Sequence, residues 1–414
     1  MRSFFSRVRN HHALTALQFR TFRLVCGGQI FGNIGTWMDE LSRGWLMYQL
    51  TDSVVQLGLA RGIQLVPTLL VSPFAGTAAD RYSRKTLLLV SQSVQGLSFA
   101  ALALLILSGH VAPWHVYVTA VIAGTMQAIQ QPARASIVTE SVPPESLTNA
   151  IGVTSLIFNM ARLLGPAMAG AIIAVAGTGG AFALQAACMF MATLWVSKLP
   201  AMPHPEDEAN KGRRESFARS IVEGWKFSWQ NQSVRAGILC TTIVCGLMFP
   251  FATLLPVFAR DLLGVGAQGQ GILLAAMGFG ALLSAATIAV AGHRLTRGRV
   301  MMDSSIVYGF ALVVFAVSPW YSLSIVAMVV AGLCHVHANA LVHTVVQSYS
   351  PPAYRGRAMA LFNMSQMLST AGSVLIGLLA VVLGSRGAVA VMGIVGALGI
   401  VALAWRMPGA RRIQ

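Results

Sequence analysis

Apolar runs of about twenty residues or more, separated by short polar connections, recur along the whole chain. A helix needs about 20 such residues to cross roughly 30 Å of hydrocarbon. The pattern therefore predicts twelve membrane-crossing helices, at residues 21–49, 54–79, 85–108, 114–139, 146–176, 178–197, 235–262, 267–291, 300–317, 320–349, 356–383 and 386–406. One polar break interrupts the series. From Lys198 to Arg235 the apolar pattern collapses into a charged stretch whose ESFARSIVEGWKF segment has the periodicity of an amphipathic surface helix. The predicted organisation is a basic N-terminus (1–20), a six-helix bundle (21–197), a linker (198–234), a second six-helix bundle (235–406) and a tail (407–414).

Composition agrees with a lipid setting. Of 414 residues, 55% are hydrophobic and only 10% are charged, too little polar surface to cover a soluble globule of this size. The first apolar run is too long for the core of a cleavable signal and is read as a first span.

The positive charges are unevenly placed. Arg2, Arg7, Arg9, Arg20 and Arg23 precede the first span, Arg81, Arg84 and Lys85 follow the second, and Arg294, Arg297 and Arg299 follow the eighth. Arg355 and Arg357 lie between the tenth and eleventh, and Arg406, Arg411 and Arg412 end the chain, whereas the alternate connections carry almost no Lys or Arg. Basic residues are retained on the cytoplasmic side, so both termini are expected there, in a bacterial inner membrane. The same distribution accounts for most of the +16 formal charge through topology and anionic lipid headgroups, with no nucleic-acid partner implied.

The five cysteines are scattered through apolar runs without a C-x-x-C pair, so neither a disulfide framework nor a thiolate metal site is indicated. GVGAQG at Gly264 formally matches a dinucleotide fingerprint, yet it lacks the strand-to-helix context. No phosphate-binding loop and no catalytic constellation occurs, so no enzyme and no bound cofactor is expected, and energy for any transport comes from a gradient.

The two halves resemble each other. QAIQQPARASIVTESVPPESL, from Gln127, and HVHANALVHTVVQSYSPPAYR, from His335, align without gaps, with Gln127 opposite His335 and Gln131 opposite Asn339. An internal duplication is the better reading of that agreement with the six-plus-six count.

GTAADRYSRKTLL, from Gly76, resembles the loop that the major facilitator superfamily carries between its second and third helices, and HRLTRGR at His293 echoes it in the second half. GTWMDELSRGWLMYQLTDS, NMARLLGPAMAG and VVQSYSPPAYRGRAMAL are similar to the branch containing enterobactin-type siderophore and macrolide exporters. The resemblance implies the major facilitator fold: an all-α polytopic membrane protein of two pseudo-symmetric six-helix bundles. It also implies a secondary active transporter, a proton-coupled exporter of a small amphipathic cargo, with an importer, a lipid flippase and a metal-ion exporter as alternatives. A monomer and contacts with membrane lipid are expected.

The resemblance assigns Gly76, Asp80, Arg81, Arg84 and Lys85 to a gating loop, in which an acid at a helix end meets a neighbouring helix N-terminus. Gly165, Pro166 and Gly170 in GPAMAG resemble an antiporter motif, and close helix packing by small residues is an equal reading.

Charged residues inside spans are costly and mark function or pairing. In MDELSRGWL, Arg43 projects between Asp39 and Glu40 and can neutralise either at i+4 or i+3, which leaves one carboxylate over. Arg61 is expected at similar depth, and Arg162 deep in the fifth span, so that three arginines face two carboxylates in one network. Proton coupling through Asp39 or Glu40 and a permanent set of structural ion pairs are the two readings.

His335, Asn339 and His343 fall on one face of the tenth span. With Asn33, Gln127 and Gln131 they are read as lining a substrate cavity. With His337 they raise the question of a metal, but their spacing forms no closed site and no acid or thiolate is adjacent.

Overall fold

A computed structural model describes residues 15–200, 217–291 and 296–412. These residues are helical almost throughout, with no strand among them. Helices α1 (Arg20–Thr51), α2 (Val54–Arg81), α3 (Arg84–Leu107) and α4 (Pro113–Glu140) are followed by α5 (Leu147–Ser197). A surface helix, α6 (Phe217–Gln230), coincides with the stretch whose pattern reads as amphipathic. The second half contains α7 (Gln232–Leu262), α8 (Gly266–Ala291), α9 (Arg297–Val317), α10 (Tyr321–Ser348) and α11 (Pro352–Arg406).

Two of these helices are each a pair of crossings. At 1.5 Å per residue, 51 residues of unbroken helix would run over about 75 Å, more than twice the hydrocarbon thickness. Gly177 in α5 (φ 71°, ψ 179°) and Gly384 in α11 (φ 69°, ψ 163°) break the helices at the two places where the sequence pattern ends one span and begins the next. Only glycine enters that region without steric cost. Divided there, the elements accommodate twelve crossings.

α7 departs from regular helix. It passes through a π turn at Val244–Met248, a 3-10 turn at Phe249–Leu254 and a second π turn at Phe258–Leu262. Pro250 and Pro256 fall in this stretch, and each lacks the N–H that an α-helical ladder requires.

The outer coat is apolar: Val175 is 89% exposed and Val382 80%. In water such a surface would associate, and in a bilayer it is the solvated face. This is a multi-pass membrane protein.

The halves join through glycine-lined seams. A methyl group added at Gly58 on α2 would stand 2.5 Å from the Ser373 carbonyl oxygen on α11. One at Gly170 on α5 would stand 2.5 Å from the Ala267 carbonyl oxygen on α8, and one at Gly271 on α8 2.7 Å from the Pro166 carbonyl oxygen. Helix backbones touch at these places because no side chain intervenes. Both seams lie in the turns of helix next to Ser53, Gly177, Val265 and Gly384, so the halves are closed together at that end.

Polar bridges reinforce the same end. Arg260 of α7 pairs with Asp52 at the end of α1 and with the neighbouring Asp261 at 2.8 Å, and it lies 4.1 Å from the centre of the Tyr48 ring. The Tyr48 hydroxyl donates to Asp261.

Candidate functional site

A cavity of about 390 Å³ opens in the inner face of the first bundle, lined by residues of α1 to α5. Its wall is mostly amide and aromatic: Asn33, Gln64, Gln95, Gln127, Gln130 and Gln131, with Trp37 and Phe158. Asp39, Glu40, Arg61 and Arg134 supply its charge. At Glu40 and Arg61 it meets the seam with the second half, since these two also border a small gap against Thr253, Pro256 and Gln270.

The charges are sorted into separate pairs. Arg43 donates from Nε and Nη2 to one oxygen of Asp39, at 3.1 and 2.9 Å, and from Nη1 to the Thr119 hydroxyl (2.8 Å) and the Val116 carbonyl (3.2 Å). The arginine is 2% exposed, so its charge is balanced almost entirely by the protein. Asp39 Oδ1, also buried, has no hydrogen-bond partner among the described residues. Arg61, one helix away, takes Glu40: Nη1 donates to Oε2 at 2.7 Å, Nη2 approaches Oε1 at 2.5 Å, and Nη2 also donates to the Glu40 carbonyl at 2.9 Å.

The acid that Arg43 leaves over is Glu40, and Arg61, expected at similar depth, takes it. One expectation is corrected: the third arginine forms no ion pair with either acid. Arg162 stands apart, its guanidinium carbon 5.5 Å from the centre of the Trp37 ring, with no ion pair or hydrogen bond among the described residues. Trp37 in turn meets Phe158 edge-on at 5.6 Å.

The sequence reading missed Arg134. It lies in QQPARAS, directly beside residues singled out for the cavity, but nothing in a linear pattern distinguishes it from a basic residue at the membrane face. In the structure its Nη1 donates to Asn33 Oδ1 at 2.5 Å and its Nη2 to Gln130 Oε1 at 3.1 Å, and Gln130 donates onward to Gln95 at 3.0 Å.

Gln127, Gln131 and Asn33 border the cavity. The histidine stripe of α10 is elsewhere. His335 is buried, stacked on Phe249 at 4.9 Å and close to Tyr308 at 5.4 Å. His337 shares a hydrogen bond with Ser284, His343 meets Phe362 edge-on, and Asn339 borders a narrow gap beside Cys240 and Thr241. The three rings therefore sit in three different settings.

Gly165 packs against Trp37, where a methyl group would stand 2.6 Å from its Cβ, and Gly170 and Pro166 form the seam with α8. At the start of α3, Arg84 pairs with Glu140 and Lys85 donates to the Leu199 carbonyl. The side chains of Asp80 and Arg81, and the surroundings of Gly76, lie outside the described residues.

Residues 11–411 match the family described as transmembrane secretion effector, within the major facilitator superfamily. The staphyloferrin A transporter of Staphylococcus aureus is 26% identical over 87% of this chain and 90% of its own. The multidrug efflux pump Tap of Mycolicibacterium fortuitum is 27% identical over 86% and 88%, and the enterobactin exporter EntS of Escherichia coli 26% over 79% and 77%. Among solved structures, the nucleoside transporter NupG superposes with a TM-score of 0.72 at 15% identity, covering 95% of this chain and all of its own. A bacterial homologue of the human lysosomal transporter Spinster, in an inward-facing and unoccupied conformation, does so at 0.72 and 13% identity, covering 95% and 96%. These structural likenesses speak to the fold.

Proposed function

The chain belongs to the transmembrane secretion effectors of the major facilitator superfamily, and from that premise we propose that it is a proton-coupled exporter of a small amphipathic molecule, such as a siderophore or a drug. It is a membrane transporter and not an enzyme.

The observation that carries the proposal is the cavity itself: about 390 Å³ of amide, aromatic and charged wall, abutting a seam at which the halves are closed together at one end. Alternating access needs such a cavity and two ends that close in turn. The closed end is the one whose connections are poor in Lys and Arg, which the charge distribution assigns to the outside, so this conformation is read as inward-facing with both termini cytoplasmic. The relatives named as an enterobactin exporter and a multidrug efflux pump support the outward direction, and together with the staphyloferrin A transporter they support the cargo class.

Glu40 is the acid best suited to coupling. Asp39 and Arg43 lie four residues apart on one helix and move together, so rocking of the halves leaves that pair unchanged. Glu40 and Arg61 span two helices, and α2, which bears Arg61, packs directly on α11 of the other half. Movement of α2 relative to α1 separates the pair and frees the carboxylate to exchange its partner.

The test is cargo efflux from proteoliposomes under an imposed pH gradient, using enterobactin and ethidium as probes of the two cargo classes. Accumulation of either probe that requires the gradient supports the proposal. Movement of neither, or movement indifferent to the gradient, overturns it.

A further inference from the structure

Three of the cavity positions of α1, Asn33, Trp37 and Glu40, each carry an arginine from a different helix. Arg134 comes from α4 to Asn33, Arg162 from α5 to Trp37, and Arg61 from α2 to Glu40. Only the last forms an ion pair. Arg134 is held by the neutral oxygens of two amides and Arg162 lies by an indole ring, and neither forms an ion pair among the described residues.

An arginine inside a membrane span without a counter-charge is costly. Amide oxygens and an aromatic face soften that cost but do not cancel the charge. Both guanidinium groups keep donors to spare, since each has five N–H groups in a rigid fork suited to oxyanions. Counting ion pairs, Asp39 cancels Arg43 and Glu40 cancels Arg61, so the cavity wall keeps an unpaired positive charge at Arg134, while Arg162, also without an ion pair among the described residues, lies against the lining residue Trp37.

The geometry points to a specific substrate class: an anionic molecule bearing two oxyanion groups joined by a flat body, one group at Arg134 and the other at Arg162, the body against Trp37. Asn33 and Trp37 are four residues apart, about one helical turn, so the two stations lie on the same side of α1. This rests on the transporter reading and narrows it, because a lipophilic cation, a common drug type, meets repulsion at both stations.

The experiment is calorimetric titration of the full chain in nanodiscs with two probes of opposite charge, naphthalene-1,5-disulfonate and methyl viologen. The disulfonate keeps its charge at every working pH. Saturable binding of the disulfonate is expected, weakened about tenfold or more by Arg134→Gln and by Arg162→Gln, the loss of a charge-assisted hydrogen bond in each case. Arg162→Lys is expected to fall between. Arg162 makes no hydrogen bond among the described residues, so its variant keeps the test open should Arg134→Gln fail to fold. Undiminished disulfonate binding by both variants, absence of saturable disulfonate binding by the parent chain, or tighter binding of the viologen overturns the assignment. Gradient-driven movement of ethidium in the proteoliposome assay alongside any of those results would leave the transporter reading standing and the anion reading refuted.

Discussion

Arg61 holds both carboxylate oxygens of Glu40 and its backbone carbonyl, so one side chain of α2 fixes both the charge and the main chain of α1 where the cavity meets the seam. The two side chains remain about a quarter exposed, whereas in the neighbouring Asp39–Arg43 pair the figures are 11% and 2%. That difference separates a partly exposed pair from a largely buried one.

Glu40→Gln is expected to abolish gradient-driven efflux while the protein still exchanges cargo passively and remains folded. Glutamine keeps an acceptor for Arg61 and removes the titrating group. Efflux and counterflow from the same proteoliposomes distinguish the two effects, and full gradient-driven efflux by the variant would exclude Glu40 as the coupling acid.

Arg43→Ala is expected to act on stability instead. Removing one partner of a buried pair strands the other, at a cost of about 3–5 kcal/mol. A fall in the unfolding midpoint of the solubilised protein, larger than that of Glu40→Gln, is the expected reading. Asp39→Asn should be milder, because Arg43 retains Val116 and Thr119 as acceptors.

The fold was legible because seven of the long helices announce themselves by length and hydropathy alone among the described residues, because the remaining apolar runs complete the repeat, and because glycines at 177 and 384 mark breaks that only glycine enters cheaply. The pairing of charges was not. Spacing on one helix showed that Arg43 could reach Asp39 or Glu40, but the choice was made by Arg61 on another helix, through a distance no linear pattern contains. Arg134 escaped for a related reason: its role depends on Asn33, 101 positions away in the chain. The histidine stripe on α10 shows the converse, since a shared helical face specifies a direction and leaves open whether cavity or packed aromatic ring lies there.

At the closed end, Arg260→Ala is expected to loosen the junction of the halves, because it removes the only cation among the described residues that pairs with Asp52 there. An exposed ion pair contributes up to about 1 kcal/mol, so the open population should rise by about two- to fivefold. Ser373, buried in the seam opposite Gly58, offers the reporter. In a Ser373→Cys background the native cysteines are all buried, and the labelling rate with a membrane-impermeant thiol reagent should rise by that factor when Arg260 is replaced. An unchanged rate would mean that the glycine seams alone hold this end.

The seams themselves admit a stronger perturbation. At Gly170 any β-carbon would stand 2.5 Å from the Ala267 carbonyl oxygen, and the obstacle is backbone on a facing helix, so no side-chain rotation relieves it. Gly170→Val therefore requires α5 and α8 to separate, and the seam cannot close as it does here. Since Gly170 faces the other half rather than the interior of its own, each bundle should still fold, and the variant should appear in the membrane at near-normal levels. It should be trapped with this end open, lose efflux, and show fast labelling at Ser373→Cys. Gly165→Val makes the control: its obstacle is Trp37 within the same bundle, so it should damage the cavity and the fold of the first half without opening the seam. Equal labelling of the two variants would show that the packing at Gly170 does not govern closure.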